Sequence, residues 1–299
     1  MSEPAPPTPS LSEKGSRAHS EPLIRNVSDT ARWVAVYRAR ETERPDAHFR
    51  DPFARRLAGE RGEQIARSMP LGRNNDWSMI TRTCLGDDLI NEQIRDGIDT
   101  VINLAAGLDA RPYRMQLPPT LKWIEVDLPE ILSYKEEILR DDKPVCSLER
   151  IRLDLSNAPA RRDLFAQLGA RASKALIISE GLLIYLTPED VAGLAKDLAA
   201  PPSFQSWILD IASPGLLLML AKKLSRQLQH VAPFKFAPPE GPNFFIPYGW
   251  KPVDVRSLLK NAARLKRLTF FMSLFALLPE TEKSRRDRPW SGVCLLKKQ

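Results

Sequence analysis

Apolar positions along this chain follow two patterns: faces recurring every three or four residues, and short unbroken runs of β-branched and bulky residues. The first pattern predicts helices. From Ser28, with Ser28 or Asp29 able to cap, Trp33, Val36 and Tyr37 share one face. A short helix is expected to start at Asp51-Pro52-Phe53, and Gly59, Gly62, Pro70 and Gly72 mark loops. A longer helix spans about Asp76 to Arg95 and ends at Gly97. The second pattern predicts strands at Val101–Leu104, Trp123–Val126, Arg150–Leu153, Ala175–Ser179 and Ser206–Ile211. Between them, Pro129 opens a helix with Ile131, Leu132 and Ile138 on its apolar side and Lys135, Glu136 and Glu137 elsewhere. Thr187-Pro188-Glu189 opens another. This alternation predicts a doubly wound parallel sheet. Beyond it, Gly215 to Gln229 reads as helix and Pro233 to Pro252 as a loop rich in Pro, Phe and Gly. Two last strands are expected around Leu268–Met272 and Gly292–Leu296.

Chemistry gathers where the predicted strands end. The first runs V-I-N-L into A-A-G-L-D-A-R, so small residues and Gly107 let backbone N–H groups approach a ligand. Twenty residues after Gly107 the second strand ends on Asp127, the usual place for a ribose-binding acid. There is no G-x-G-x-x-G, which argues against a dinucleotide and leaves room for a smaller adenosine ligand. The third strand closes on Asp154-Leu155, either a base-holding acid with an apolar platform or a helix N-cap with a core leucine. Glu180 follows the fourth, central strand, at the edge where open α/β sheets bind ligands. Arg38 and Arg82, on the first and third helices, are either solvated or ligand-facing. Phe234, Phe236, Phe244, Phe245, Tyr248 and Trp250 line an acceptor pocket or fill a core.

Composition narrows this picture. The 299 residues, 43% hydrophobic, suffice for one large α/β domain with appended caps. Met1 to about Ser20, rich in Pro, Ser and charge, reads as a mobile tail. Three cysteines without C-x-x-C spacing suggest neither a disulfide framework nor a zinc site, and no metal is expected. The net charge of +7 is uneven: from Pro214 onward sixteen Lys and Arg stand against five acids. That basic part is a solvated face, or it attracts an anionic substrate, an acidic protein or RNA. No apolar run reaches the roughly 18 residues needed to span a bilayer, so no membrane partner is expected, and a cytoplasmic location is. Of His19, His48 and His230, only His230 borders the Phe-rich loop, as a surface residue or a weak candidate base. G-x-S-x-G is absent, which disfavours a serine hydrolase.

Several ordered motifs carry a resemblance. T-A-x-x-x-A-x-x-R-A-x-E begins at Thr30, D-P-F-A at Asp51, R-T at Arg82 and L-A-A-G-L-D-A-R at Leu104. E-V-D-L-P begins at Glu125, D-L at Asp154, E-G-L-L-I-Y-L at Glu180 and R-P-W-S-G-V-C at Arg288. As a set they resemble the leucine carboxyl methyltransferase-like branch of class I S-adenosylmethionine (SAM) methyltransferases, especially its actinobacterial small-molecule O-methyltransferase-like members. The resemblance implies a Rossmann-like, mostly parallel seven-stranded sheet. It implies a disordered tail over 1–20, a helical cap over 21–98, and a core over 99–299 with a lid or substrate region at about 212–265. It implies SAM as cofactor: Arg38 and Arg82 on the methionine carboxylate, Gly107 along the methionine and ribose, Asp127 on the ribose. Asp154 and Leu155 would hold the adenine and Glu180 the methionine ammonium. Arg38 stands where protein-modifying eukaryotic members carry lysine, and Asn103 precedes the turn instead of an acid. The implied activity is O-methylation of a carboxyl or acidic hydroxyl on a small molecule, without nucleic acid. A protein C-terminal carboxyl methyltransferase, or a SAM-binding or RNA-associated module without turnover, are the alternatives.

Overall fold

A computed structural model describes residues 27–68, 76–223, 233–281 and 286–299. Seven strands form one sheet: β1 (Thr100–Leu104), β2 (Lys122–Asp127), β3 (Ser147–Arg152), β4 (Ala175–Ser179), β5 (Phe204–Ala212), β6 (Trp250–Ser257) and β7 (Ser291–Lys298). Their order is β3-β2-β1-β4-β5-β7-β6. The first five are parallel, and β7 runs antiparallel between β5 and β6. Strand order reverses between β1 and β4, so the crossovers leave in opposite directions there and open a crevice at the strand ends. Both strands are buried along their whole length, so they are largely apolar on both faces, with Thr100 and Asn103 of β1 buried among them.

The described helices are α1 (Val27–Thr42), α2 (Ala54–Ser68), α3 (Asp76–Arg95), α4 (Arg111–Arg114), α5 (Pro129–Ile138), α6 (Ala158–Arg171), α7 (Pro188–Ala199), α8 (Pro214–Lys223), α9 (Leu258–Arg264) and α10 (Phe270–Ala276). Ile102 and Leu104 of β1 join one core with α6 and α7, while Val101 joins a second core with α3. A third core packs α1 and α2 against Leu108, Tyr113 and Ile131. Thr187 and Asp190 form a capping box on α7, matching the predicted start.

Four expectations need correction. Gly59 and Gly62 lie within the span of α2 and not in loops: Gly59 breaks the helix with φ 59°, and Gly62 lets α1 approach, since a Cβ there would sit 3.0 Å from the Arg32 carbonyl oxygen. The region from Pro233 to Pro252 is not one loop, because Gly241–Tyr248 winds into a 3₁₀ helix and β6 begins at Trp250. Pro252 disguised that strand; β6 tolerates it at the sheet edge, where the pairing with β7 shifts register. Leu268–Met272 is not a strand, because the Thr269 hydroxyl accepts from the Met272 N–H and starts α10. Lys135, expected away from the apolar side of α5, is fully buried on it, four residues after Ile131 and three before Ile138. Pro70, Gly72, the tail before residue 27 and the end of the Gly215–Gln229 helix lie outside the described residues.

Candidate functional site

The parallel strands end at one edge of the sheet, where the chain turns into the connections that lead back. Gly107, Asp127, Asp154, Leu155 and Glu180 occupy these ends, and Arg38 and Arg82 reach in from α1 and α3. All seven line one cavity of about 870 Å³.

Gly107 adopts φ +50°, and Ala105 before it φ 51°, a tight turn that aims the Gly107 N–H at the Asp127 carboxylate, 2.6 Å away. The second Asp127 oxygen accepts from the Leu128 N–H at 2.7 Å. Burial dominates at Asp127 and holds its pKa above the ordinary aspartate value despite those two donors. Asp154 accepts from the Ser156 N–H at 2.9 Å, and Asn157, not Asp154, caps α6. The Leu155 side chain packs on the main core while its carbonyl accepts from Arg161 at 2.7 Å.

Glu180 sits between two guanidinium groups, Arg111 at 2.8 Å and Arg82 at 3.1 Å. Burial alone would raise its pKa, but the Arg111 and Arg82 charges outweigh it and leave Glu180 below its usual range. Its side chain keeps 21% exposure toward the cavity. Arg111 also holds Asp87 at 2.7 Å and Asp109 at 2.8 Å. A Cβ on Gly86 would lie 2.8 Å from an Arg111 terminal nitrogen, so a larger residue there would push the guanidinium away from the acids that hold it. Arg82 further meets Asp210 at 3.2 Å, whose other oxygen accepts from the Gly181 N–H at 2.6 Å. Arg38 spends its Nε on Asp51 at 2.8 Å and one terminal nitrogen on the Leu108 carbonyl at 2.6 Å. Neither arginine is solvated.

Sequence reasoning passed over Asp87, Asp109, Arg111 and Asp210. Asp109 and Arg111 were in view inside A-A-G-L-D-A-R, and Asp210 is the one acid in the apolar run of β5, the same signal that singled out Glu180. Trp77 was missed too; it lines the cavity, and its buried indole N–H has no hydrogen-bond partner. Glu125, the neighbouring acid on β2, pairs with Lys135 and Arg150 outside the cavity and cannot replace Asp127.

Eight acids and six arginines line the cavity, so its wall is net acidic in a chain of net charge +7. None of the described basic residues beyond Pro214 is on it; that side is Leu216, Met219, Leu220, Phe234, Phe236, Leu258 and Ser291. The described residues of the basic part therefore do not line the site. The aromatics of the Phe-rich stretch divide: Phe234 and Phe236 reach the cavity, whereas Phe245 and Trp250 are buried edge-on against Trp207. His48 bonds the Leu265 carbonyl at 2.7 Å away from the site, and His230 lies outside the described residues.

Strand order, the antiparallel β7 and a ligand-sized cleft at the β1/β4 switch point define the class I methyltransferase fold. Solved structures agree: a DUF574 family protein from Streptomyces avermitilis has TM-score 0.56 at 13% identity, covering 90% of this chain and 97% of that one. A "putative methyltransferase" from Thermobifida fusca has TM-score 0.55 at 15% identity, covering 93% and 97%. Residues 31–199 match the family model described as leucine carboxyl methyltransferase, and the chain belongs to that family. A Streptomyces coelicolor protein named "Putative S-adenosyl-L-methionine-dependent methyltransferase" is 37% identical over 55% of this chain and 61% of its own length. A Frankia alni protein of the same designation is 34% identical over 57% and 63%. The matched part thus spans about three fifths of each relative.

Proposed function

We propose that this protein is a SAM-dependent methyltransferase acting on a carboxyl or acidic hydroxyl oxygen of a small molecule. The observation that carries the reading is the convergence of seven residues, drawn from six separate stretches of chain, on one net acidic cavity with an apolar far wall. The residues fit the cofactor. Asp127 accepts only two backbone bonds and has lone pairs left for a ribose diol. The Gly107 turn leaves no side chain between them, and the orphaned Trp77 N–H is a donor in want of a partner. Glu180, held ionised, suits an ammonium, and Arg38 keeps N–H groups beyond those given to Asp51 and Leu108 for a carboxylate.

When bound, SAM supplies a methyl group on a sulfonium cation. What the chain must do is align an acceptor oxygen and keep water out. The acidic wall favours the cation, and Phe234, Phe236, Leu216 and Met219 offer an apolar seat for the acceptor's body. A carboxylate is nucleophilic at neutral pH without a base, so the reading needs none. The relatives named as SAM-dependent methyltransferases support the cofactor, and a volume of about 870 Å³ supports a small acceptor.

Calorimetry with SAM and its demethylated product tests the first half. Asp127→Ala should weaken binding by about 1–3 kcal/mol through unpaired ribose hydroxyls, and absence of binding to the wild type would end the proposal. Transfer of labelled methyl to small carboxylic acids and phenols tests the second half. Transfer only to a protein C-terminus would move the acceptor to the alternative.

A further inference from the structure

Helix α10 and the two residues after Ala276 present apolar side chains to water. Phe270 and Phe271 are each 75% exposed, Phe275 64% and Leu277 80%, with Leu274 and Leu278 half exposed. At 3.6 residues per turn, the four on the helix share roughly 140° of its circumference. A contiguous apolar patch of this kind marks an interaction surface.

The helix is fastened at both ends. Before it, the buried Arg267 guanidinium donates to Glu41 at 2.8 Å and Asp46 at 3.0 Å, tying the segment to α1 and the turn beyond it. After it, Glu280 accepts from the Ser257 hydroxyl at 2.6 Å and the Trp290 indole at 3.2 Å. The apolar face is therefore displayed on a rigid mount. Ser257 and Trp290 precede Leu258 and Ser291, both on the cavity wall, so the mount adjoins that wall.

Charge decides the occupant. From Val255 to Pro279 there is no acidic residue, while Arg256, Lys260, Arg264, Lys266 and Arg267 are basic. Arg256 and Arg267 are spent on ion pairs, whereas Lys260, Arg264 and Lys266 pair with no acid among the described residues. Arg264 and Lys266 are exposed, six and four residues before the first exposed phenylalanine. A two-fold pairing of this face with a second copy would set these cations against their own kind. Phe and Leu flanked by Lys and Arg instead match the requirements of an interface of acyl chains under anionic headgroups.

We propose that Phe270–Leu278 docks into the surface of an anionic lipid bilayer, with Lys260, Arg264 and Lys266 against the headgroup phosphates. This departs from the expectation of no membrane partner, which rested on run length; surface docking requires no spanning run. No described helix is long and apolar enough to cross a membrane.

The test is cosedimentation of the full chain with vesicles of phosphatidylcholine alone or mixed with phosphatidylglycerol, alongside light scattering without vesicles. The expected result is a monomer retained on the order of 100-fold more strongly by the anionic vesicles, with the preference fading at high salt. Phe271→Ser with Phe275→Ser should abolish retention while leaving the melting temperature unchanged, since both side chains are exposed. Arg264→Glu with Lys266→Glu should erase the anionic preference. Retention that ignores both double variants, no retention on either vesicle, or a dimer dispersed by the serine variant would each overturn the proposal, the last assigning the face to a second copy.

Discussion

Glu125 and Glu180 are two carboxylates each held between two cations, in opposite settings. Glu125 on β2 lies between Lys135 at 2.7 Å and Arg150 at 2.9 Å, and both Glu125 and Lys135 are fully buried. Glu180 after β4 lies between Arg111 and Arg82 at similar distances but faces the cavity. Pairing alone therefore does not distinguish a strut from the proposed binding group; access does. Glu125 locks α5 to β2 and β3, whereas Glu180 is a charge held in place and left open to a ligand. The two also differ in reserve. Remove one cation from Glu125 and a single arginine remains; around Glu180, the acids Asp87, Asp109 and Asp210 continue to balance Arg111 and Arg82.

The contrast can be broken at its strongest point first. Lys135→Met strands Glu125 with Arg150 alone in a dry site and should cost about 3–5 kcal/mol in urea unfolding, with SAM affinity unchanged in the folded protein. Loss of affinity equal to that of a cavity variant would deny the separation. Glu180→Gln should show the reverse: about 1.5–3 kcal/mol lost from SAM binding by calorimetry, the value of a charged hydrogen bond, and a much smaller loss of fold stability.

A pH titration sharpens the comparison with a smaller effect. Asp127 has its pKa raised by burial, so it takes up a proton above the ordinary aspartate value of about 3.9. Protonated Asp127 stabilises the fold, and that contribution is lost as pH rises through its folded pKa. Glu180 and Asp109 have lowered pKa values, burial being outweighed by their arginines; their contribution is present at neutral pH and lost as pH falls through the folded values. On acidification, SAM affinity should therefore weaken first through Asp127, while Glu180 is still ionised and the protein folded. Asp127→Asn should flatten that first limb in calorimetry across pH, and a limb that persists would assign it to another group.

The parallel half of the sheet was legible because buried strands read as unbroken apolar runs. β4 was predicted at its observed bounds, and α3 likewise. The strand-end residues that line the cavity were legible because a carboxylate ending an apolar run stands out from its surroundings. What stayed hidden was long-range. Lys135 lies on the apolar face of α5 by spacing, four residues after Ile131 and three before Ile138; its charge argued against burial there, and only the fold brings Glu125 beneath it. Arg111 reads as a surface residue of a short turn until Asp87, 24 positions earlier, is seen against it. β6 was masked by Pro252, and α10 was mistaken for a strand because its apolar residues face water, so no burial pattern constrains their period.

The place of β7 has a consequence for how this chain is made. Synthesised after every other strand, Ser291–Lys298 is inserted between β5 and β6, not laid along the rim. Until it is made, β5 has an unpaired edge along Ser206–Ala212, and β6 has no strand to pair with. The side of the sheet beyond β5 therefore cannot close until the last of these seven strands has been made, so its final pairings are all long-range in the chain.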